Sequence, residues 1–541
     1  MASFSTHTSD LSAPLKRNDS QPSTHPAPEN EKPQDVFHAS QQREEGEEQI
    51  PSSSYSNSLP CPSFTPTQQK RIIRRIDIRV VLLLSIMYTS SIIDRTQIGL
   101  AMITGMGPDL HLTGKQYTTI NAVFFAPYVL FQFPSTILLR KLGPRRFLAS
   151  ISLLWGLTTI ACGFVRKHTD LIALRCVLGF CEAGFFPACL YLLSVWYPRY
   201  SLQKRNATLL VIGAVTSAFS GILAFAISHL GGHGAGGPSF WGKLINSATG
   251  LREPGLAGWR WMFIIYGTAT CCVAILSYFV LVDFPEKIAL GTAQDSTVPF
   301  LTREEATWAI RRIEADRQDA MPTEFNLAQY LHNALDLKIW AFGLLILCQA
   351  TVGHGIGFAL PFILTESMKF SLPVAQCLCT PPYVLAGIST WLVAYYSDKY
   401  KMRSPLIVVN SCVAIVGISL IGFVHNVGAR YLGVFLAAST GLANAPCIWT
   451  WQANNVRGQW KRALVSTTAV GSGAVGGVIG SLVFKPGDAP DYSRGIAICL
   501  VAKGLNIVIV LLLLWKFVRA NRRAASGGRS IGGLVGFRYT L

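Results

Sequence analysis

Two oppositely charged residues interrupt an apolar stretch of membrane-spanning length between positions 170 and 199. Arg175 and Glu182 are seven residues apart, so on a helix with about 3.6 residues per turn they face nearly the same way. A charge near the middle of a lipid-spanning helix costs about 2.5–3.5 kcal/mol. The two charges therefore predict a helix face turned toward a polar cavity that handles an anion and a proton. The alternative is an ion pair that only ties two helices together.

A second charged pair, Asp94 and Arg95, stands near the middle of an earlier apolar stretch. A guanidinium offers a fork of donors that matches a carboxylate, and it keeps its charge where solvation is poor. We therefore expect Arg95 and Arg175 to bind a substrate carboxylate, with Arg175 as the main anchor. Asp94 and Glu182 would neutralise the arginines in the empty state, and their protonation would free the arginines. The alternative is two permanent ion pairs, Asp94–Arg175 and Glu182–Arg95.

The elements that must hold these residues are apolar helices. Hydrophobic residues make up 50% of the 541 residues, and a bilayer core requires about 20 apolar residues per helix. We therefore expect an all-α integral membrane protein with twelve transmembrane helices in two six-helix bundles. The twelve stretches are residues 80–106, 119–139, 147–165, 171–196, 207–230, 259–282, 338–362, 376–396, 405–424, 431–452, 463–484 and 494–517.

The formal net charge of +18 does not indicate a nucleic-acid partner, because of where the basic residues lie. They collect before the first stretch, after the last and in alternate connections, which is the positive-inside pattern of membrane proteins. Both termini are therefore expected in the cytoplasm. Three basic residues are exceptions to the pattern, because they fall on the opposite side: Lys243, Arg252 and Arg430. The clusters include Lys70, Arg71, Arg74, Arg75, Arg140, Lys141, Arg145, Arg146, Arg199, Lys204, Arg205, Arg457, Lys461, Arg462, Arg519, Arg522 and Arg523.

Composition divides the chain into five segments. The beginning is rich in Ser, Pro, Gln and Glu and cannot bury a core, and a polar stretch in the middle separates six apolar stretches from six. In that polar stretch, Thr302 and Glu305 fit a capping box that starts a short amphipathic helix. The predicted segments are a disordered cytoplasmic N-terminal tail (1–68), an N-terminal six-helix bundle (69–284), a cytoplasmic linker with the short helix (285–337), a C-terminal six-helix bundle (338–518) and a cytoplasmic C-terminal tail (519–541).

No combination of residues suggests an enzyme, a cofactor or a metal centre. The thirteen cysteines fall mostly in apolar stretches, where a thiol behaves as a small hydrophobe, and Cys377 and Cys379 lack the partner ligands of a zinc site. The glycine-rich stretch 471–480 does not follow a strand. It therefore predicts close helix packing rather than a phosphate loop.

Two short basic turns, at equivalent places in the two halves, resemble the loop signature of the major facilitator superfamily. The first turn has Arg140 where the signature has an aspartate, and the second turn lacks the glycine. The resemblance implies two bundles joined by a long cytoplasmic linker, with these turns as a conformational-loop motif. The retained positions are Gly143, Arg145, Arg146, Asp398, Lys399 and Arg403.

Longer segments resemble the anion:cation symporter family, in particular its fungal allantoate and nicotinate permease-like branch. They include SIIDRTQIGLA, LIALRCVLGFCEAGFFPACLYLLSVWYPR and GWRWMFII, and the similarity covers residues 70–520 or so. In that family, charged pairs in the first and fourth spans serve anion binding and proton coupling. The matching positions are Asp94, Arg95, Arg175 and Glu182. Fungal members commonly carry acids where this chain has Tyr266 and Gln132, so a particular substrate cannot be carried over.

Five further side chains could line the same cavity, although each also has a packing explanation: Asn121, Gln349, His354, Trp451 and Asn455. Gln349 and His354 are five residues apart, roughly 140° around a regular helix, so both could face one cavity only if the helix is broken. Lys503, in the last stretch, is expected to extend to the membrane interface.

These observations predict a secondary active transporter that works by alternating access. The expected cargo is a small organic anion, such as a vitamin, a ureide or a related carboxylate, carried together with protons. Besides that anion and protons, the lipid bilayer is the expected partner, and we expect a monomer in the plasma membrane without a cofactor. Two alternatives stay open: a proton-driven exporter of an organic acid or secondary metabolite, and a transporter-like nutrient sensor.

Overall fold

The computed structural model describes residues 64–228, 257–289, 300–317, 326–484, 492–526, 531 and 537–541. Most of the predicted N-terminal tail, parts of the linker and C-terminal tail, and Lys243 and Arg252 lie outside the described residues. The first helix begins at Pro66, inside the predicted tail, because Thr65 and Gln68 form a capping box. The Thr65 hydroxyl accepts from the Gln68 amide at 3.4 Å, and the Gln68 side chain accepts from the Thr65 amide at 2.9 Å.

The described residues of the first half form helices joined by short turns. A π-helical segment, Asp77–Leu82, joins the first two helices, and another, Met102–Met106, continues the second. The described helices are α1 (Pro66–Ile76), α2 (Leu83–Ala101), α3 (Gly107–Asp109), α4 (Gly114–Leu130), α5 (Gln132–Leu142), α6 (Pro144–Cys162), α7 (His168–Glu182), α8 (Phe185–Trp196), α9 (Leu202–Ser228) and α10 (Gly258–Val280).

The linker holds three described helices, α11 (Pro285–Ala289), α12 (Arg303–Arg317) and α13 (Leu327–Asn333). The predicted capping box at the start of α12 is confirmed. The Glu305 amide donates to the Thr302 hydroxyl at 3.2 Å, and the Thr302 amide donates to the Glu305 carboxylate at 3.0 Å.

The second half is built in the same way. A π-helical segment, Ile363–Ser367, follows its first helix. The described helices are α14 (Leu337–Phe362), α15 (Leu372–Tyr400), α16 (Ser404–Phe423), α17 (Val427–Asn454), α18 (Gln459–Val483) and α19 (Ser493–Ala525).

Helices occupy the described part of all twelve predicted stretches, so the all-α prediction is confirmed. By length and composition, eight of the described helical segments could cross a membrane, or nine if α4 and α5 count as one span. That pair bends by 52°, where Pro127 inside α4 removes a backbone donor one turn before the break. Within the described residues, helices α6, α9 and α15 are not among these candidate spans.

The glycine-rich stretch packs as predicted, with α18 lying directly against α14. A Cβ atom at Gly476 would lie 2.4 Å from the Leu347 carbonyl oxygen, and one at Gly480 would lie 2.7 Å from the Thr351 carbonyl oxygen. Only glycine lets the two backbones approach this closely, as small residues do at helix contacts within membranes.

Polar contacts between the two halves concentrate at one end of the helices, where Arg140, Arg199 and Arg403 lie; we call it the basic end. The Thr136 and Thr467 hydroxyls are 2.5 Å apart, and Asn206 donates to the Thr450 hydroxyl at 3.1 Å. Other bonds across the same seam are Asn454 Nδ2 to Arg199 O and Arg462 Nη1 to Ser194 O. Gln459 Nε2 also donates to Glu286 Oε1 of the linker helix α11. This end of the molecule is closed.

Candidate functional site

Two helices of the first half position the four charged residues that the sequence analysis singles out. Asp94 and Arg95 lie on α2, and Arg175 and Glu182 lie on α7. Arg175 and Glu182 both contact α2, in agreement with their seven-residue spacing on one helix face. The fold therefore brings all four residues into one cluster.

Arg95 and Glu182 form an ion pair. Arg95 Nε donates to Glu182 Oε1 at 2.9 Å, and Arg95 Nη2 lies 2.8 Å from the same oxygen. The Ser91 hydroxyl, one turn before Arg95 on α2, also donates to this oxygen. Glu182 Oε2 is buried and has no hydrogen-bond partner among the described residues. One oxygen is therefore saturated, and the other is available to carry a proton.

Arg175 and Asp94 are close to each other but do not make the expected side-chain pair. Arg175 Nη1 donates to the backbone carbonyl of Asp94 at 3.4 Å, and both residues are buried. Arg175 Nε and Nη2 and Asp94 Oδ2 lack hydrogen-bond partners in the described part of the chain. Of the two permanent pairs considered above, only Glu182–Arg95 is present, and Arg175 retains unused donors.

Arg95 is the member of the cluster that solvent reaches. Its side chain is 35% exposed, whereas that of Glu182 is 1% exposed. The guanidinium lies over two aromatic rings of α4, 4.8 Å from the centroid of Tyr128 and 5.6 Å from that of Phe124. Such contacts stabilise a cation while leaving its donors free. Ser91, Phe124 and Tyr128 are not among the residues predicted from the sequence. The four-residue spacing of Ser91 and Arg95 could have indicated that Ser91 lies on the same helix face as Arg95.

His354 of α14, in the second half, lies near Arg95. It is exposed, and it lies within electrostatic range of Arg95 although the two belong to different halves. Its Nδ1 donates to the Ala350 carbonyl at 2.9 Å, so the other ring nitrogen points away from the helix.

Gln349 lies on a different face of α14 from His354, because the helix is unbroken and the two residues are five positions apart. It is buried, its Nε2 donates to the Gly441 carbonyl, and its Oε1 accepts from Lys503 Nζ at 2.5 Å. The expectation that Lys503 extends to the membrane interface is wrong. The side chain is completely buried inside the second half because Gln349 provides an acceptor there.

The remaining weaker candidates have packing roles in the structure. Trp451 and Asn455 are buried at the basic end, where both donate to the Thr540 carbonyl. Asn121 is half-buried on α4 and donates to the Tyr117 carbonyl of its own helix at 3.2 Å. Trp451 and Asn455 therefore lie away from the Arg95 cluster, and Asn121 makes no described contact with it.

Comparison with known proteins identifies the family. A sequence profile described as the Major Facilitator Superfamily matches residues 84–484. The chain belongs to the Major Facilitator Superfamily. Members of this superfamily are membrane transporters and not enzymes, so the prediction of an integral membrane transporter is confirmed.

Individual superfamily proteins are similar to this chain over most of their length. The chain is 29% identical over 454 residues to an uncharacterized transporter of Schizosaccharomyces pombe, covering 84% of each protein. It is 27% identical over 468 residues to the high-affinity nicotinic acid transporter of Saccharomyces cerevisiae, covering 86% of this chain and 80% of that protein. The fold matches that of the proton:xylose symporter XylE with a TM-score of 0.59 at 14% identity, covering 82% of this chain and 95% of XylE.

The first copy of the superfamily loop motif supports the turn between α5 and α6. Gly143 has φ +86°, and a Cβ there would lie 2.8 Å from Asp283 Oδ1, so only glycine fits this backbone. Arg145 Nε donates to the Tyr278 carbonyl at 2.6 Å, and Arg146 is exposed.

The second copy of the motif crosses between the halves. Arg403 binds Asp398 Oδ1 at 2.5 Å and Gln203 Oε1 at 2.6 Å, and Asp398 Oδ2 accepts from the Lys204 amide at 3.0 Å. Gln203 and Lys204 belong to α9 of the first half. The motif therefore holds the basic end closed.

Glu286 supplies a carboxylate beside the place where Arg140 replaces the signature aspartate. It accepts from Gln459 Nε2 of α18 at 2.8 Å and lies 3.9 Å from Arg140 Nη1. Burial raises the pKa of Glu286, against the opposing effects of Arg140 and Gln459. The sequence analysis did not identify this residue, because it is distant from Arg140 along the chain.

Proposed function

We propose that this superfamily member carries a small organic carboxylate together with a proton, and that the Arg95–Glu182 pair couples the two. The observation that supports the proposal is the exposed guanidinium of Arg95 held by a buried carboxylate. A substrate carboxylate competes with Glu182 for the same donors. Protonation of Glu182 weakens its hold on Arg95 and leaves the fork free to bind the substrate.

The charges of the cluster are consistent with this coupling. Asp94 and Glu182 contribute two negative charges, and Arg95 and Arg175 contribute two positive charges, so the empty cluster is neutral. One proton on Glu182 makes the cluster +1, and one bound monocarboxylate restores neutrality. A neutral cluster costs least within the membrane, so the proton and the anion favour each other's binding.

Arg95 is proposed as the first contact for the substrate. Sequence motifs favour Arg175 as the main anchor, but Arg175 is 3% exposed and donates to the Asp94 backbone carbonyl. Its unused donors point to a supporting role, in which it receives the carboxylate after Arg95 or stabilises Asp94. Asp94 is either a second proton site or a nearby counter-charge for Arg175, whose side chain it does not pair with directly.

The site favours a planar, preferably aromatic, carboxylate. Tyr128 and Phe124 place ring surfaces under Arg95. His354 provides another flat polar group near Arg95 from the second half. The similarity to a nicotinic acid transporter makes nicotinate the first substrate to test. We also propose that the protein belongs to the anion:cation symporter family, which includes allantoate permeases.

The basic end is proposed to face the cytoplasm, following the positive-inside pattern. Because the basic end is closed while Arg95 remains exposed, we propose that this state opens to the opposite, external side. We propose two bundles divided at the linker, a monomer and a plasma-membrane location. Protease treatment of intact cells tests the orientation, because external cleavage within residues 300–317 would contradict it.

Uptake measurements test the function. Cells that lack their own carboxylate permeases, expressing this protein, should accumulate labelled nicotinate or another small monocarboxylate from a panel, and faster at acidic external pH. Empty-vector cells and cells treated with a protonophore are the controls. Transport that is indifferent to the proton gradient would contradict coupling, and net efflux from preloaded cells would favour the export alternative.

A further inference from the structure

Residues 537–541, called here the tail segment, lie against the basic end, and two asparagines hold their backbone. Asn521 Nδ2 donates to the Tyr539 carbonyl at 2.9 Å, while its Oδ1 accepts from the Tyr539 amide at 2.8 Å. Asn455 makes the same pair of bonds with Thr540, at 3.1 Å and 2.8 Å. Two consecutive residues therefore have both backbone groups satisfied by side chains from α19 and from the end of α17.

Side-chain contacts secure the tail segment on the second half. The Tyr539 ring stacks on Phe517 with centroids 4.5 Å apart, and Lys338 Nζ lies 3.1 Å from the Tyr539 hydroxyl. Trp451 Nε1 donates to the Thr540 carbonyl at 2.9 Å. The Leu541 carbonyl accepts from the backbone amide of Arg403 at 3.0 Å. The segment is thus firmly anchored on one side.

Arg199 connects the tail segment to the first half. Its Nη1 donates to the Arg538 carbonyl at 3.3 Å, and its guanidinium lies 4.5 Å from the centroid of the Phe537 ring. The carbonyl of Arg199 also accepts from Arg403 Nη2 at 3.1 Å and from Asn454 Nδ2 at 3.2 Å. The tail segment therefore meets the first half at a residue that already joins the two halves.

We infer that the tail segment is an intramolecular latch that holds the basic end closed. When the halves separate at this end, Arg199 moves away with the first half while the tail segment stays with α17 and α19. The contacts of Arg199 with Phe537 and Arg538 exist only in the closed state. Since an interaction shifts a conformational equilibrium only if it differs between the states, these contacts favour closure. This inference does not depend on the proposed substrate or on proton coupling.

Cys447 provides a native reporter of opening at the basic end. It is completely buried, and its sulfur accepts from Gln203 Nε2 of the first half at 2.6 Å, so separation of the halves exposes it. We would label the purified full-length protein with N-ethylmaleimide, without substrate, and measure modification of each cysteine by mass spectrometry. Phe537→Ala should accelerate labelling of Cys447 roughly two- to fivefold, the factor expected from one cation–π contact. Deleting residues 537–541 also removes the hydrogen bond from Arg199 and should accelerate it roughly five- to seventyfold.

Matched controls separate a latch from a general stabiliser. Tyr539→Phe removes a contact with Lys338 in the second half only, and it should leave the labelling rate of Cys447 near the wild-type value. Cys162 and Cys499 are each buried in a hydrophobic cluster made of residues from one half and should stay protected in every variant. Unchanged labelling of Cys447 after deletion would overturn the latch. Parallel acceleration at Cys162, Cys447 and Cys499 would also overturn it, because the tail segment would then stabilise the whole fold.

Discussion

Arg95 directs both Nε and Nη2 to a single oxygen of Glu182, at 2.9 Å and 2.8 Å, and leaves the second carboxylate oxygen without a hydrogen-bond partner among the described residues. Both donors therefore share one oxygen, instead of each donating to its own oxygen in a two-by-two fork. The unused oxygen can accept a proton without first breaking a hydrogen bond. This asymmetry suits a pair that opens and reforms in each transport cycle.

Glu182→Gln tests proton coupling. The amide has nearly the shape of the protonated acid, so it should abolish proton-driven accumulation while leaving exchange of labelled for unlabelled substrate largely intact. Net uptake and counterflow are compared in the same vesicles, with expression checked by immunoblot. Asp94→Asn serves as a parallel variant; a matching effect would make Asp94 a second proton site. Wild-type net uptake and counterflow in the Glu182→Gln protein would favour a purely structural ion pair.

Replacing each arginine by lysine tests which one anchors the substrate. Lysine keeps the charge but loses the fork of donors, so Arg95→Lys should raise the substrate KM about tenfold or more. Arg175→Lys should have a smaller effect on KM, because the buried Arg175 is reached second. Arg71→Lys, on an exposed part of α1, is the matched control and should leave KM unchanged. A larger effect at Arg175 than at Arg95 would restore Arg175 as the main anchor.

The proposed stoichiometry of one proton per monocarboxylate makes transport electroneutral. In proteoliposomes, an imposed inward proton gradient should drive uptake, whereas a potassium diffusion potential set with valinomycin should not change the initial rate. Liposomes without protein control for passive entry of the protonated acid. Uptake that rises with a negative internal potential would require more than one proton per anion, with Asp94 as the next candidate site.

Asp336 should make stability depend on acidic pH. Burial alone would raise its pKa, but the hydrogen bond from Lys461 and contacts with Lys338 outweigh burial and lower the pKa. A carboxyl whose folded pKa lies below its unfolded pKa of about 3.9 stabilises the protein at neutral pH, and that contribution is lost as pH falls through the folded pKa. Asp336→Asn retains the helix cap and should cost about 1 kcal/mol at pH 7.

Thermal unfolding in detergent, measured against pH, checks this expectation. The Asp336→Asn protein should unfold at a lower temperature than the wild type at pH 7, and the difference should shrink toward pH 3. Asp336→Ala removes the cap as well and should be destabilised at both pH values. A difference between wild type and Asp336→Asn that is constant with pH would show that the ion pairs contribute nothing.

Gly476→Ala tests the close approach of α14 and α18. The added Cβ would lie 2.4 Å from the Leu347 carbonyl oxygen, so the helices must move apart at a cost of about 1–3 kcal/mol. The expected result is a lower unfolding temperature and poorer recovery of monodisperse protein. Gly504→Ala is the control, because no atom lies within 4 Å of its added Cβ. Equal stability of the two variants would mean that the contact adapts without cost.

Patterns within single helices are readable from the sequence. Apolar length predicts the helices, the seven-residue spacing of Arg175 and Glu182 predicts their common face, and the local capping box at Thr302 predicts where α12 begins. The glycines at 476 and 480 predict close packing because their spacing marks one stripe of a helix. All of these depend on periodicity and on neighbours a few residues apart.

The sequence by itself thus determined the helical class, the charged residues and their helix faces. Only the tertiary structure decided that Arg95, not Arg175, is exposed, since exposure depends on which helices surround each side chain. It likewise decided that Lys503 is buried against Gln349, that Glu286 lies beside Arg140, and that Trp451 and Asn455 hold the tail segment. These partners are separated by about 85 to 154 residues, and no local pattern encodes which distant helices meet.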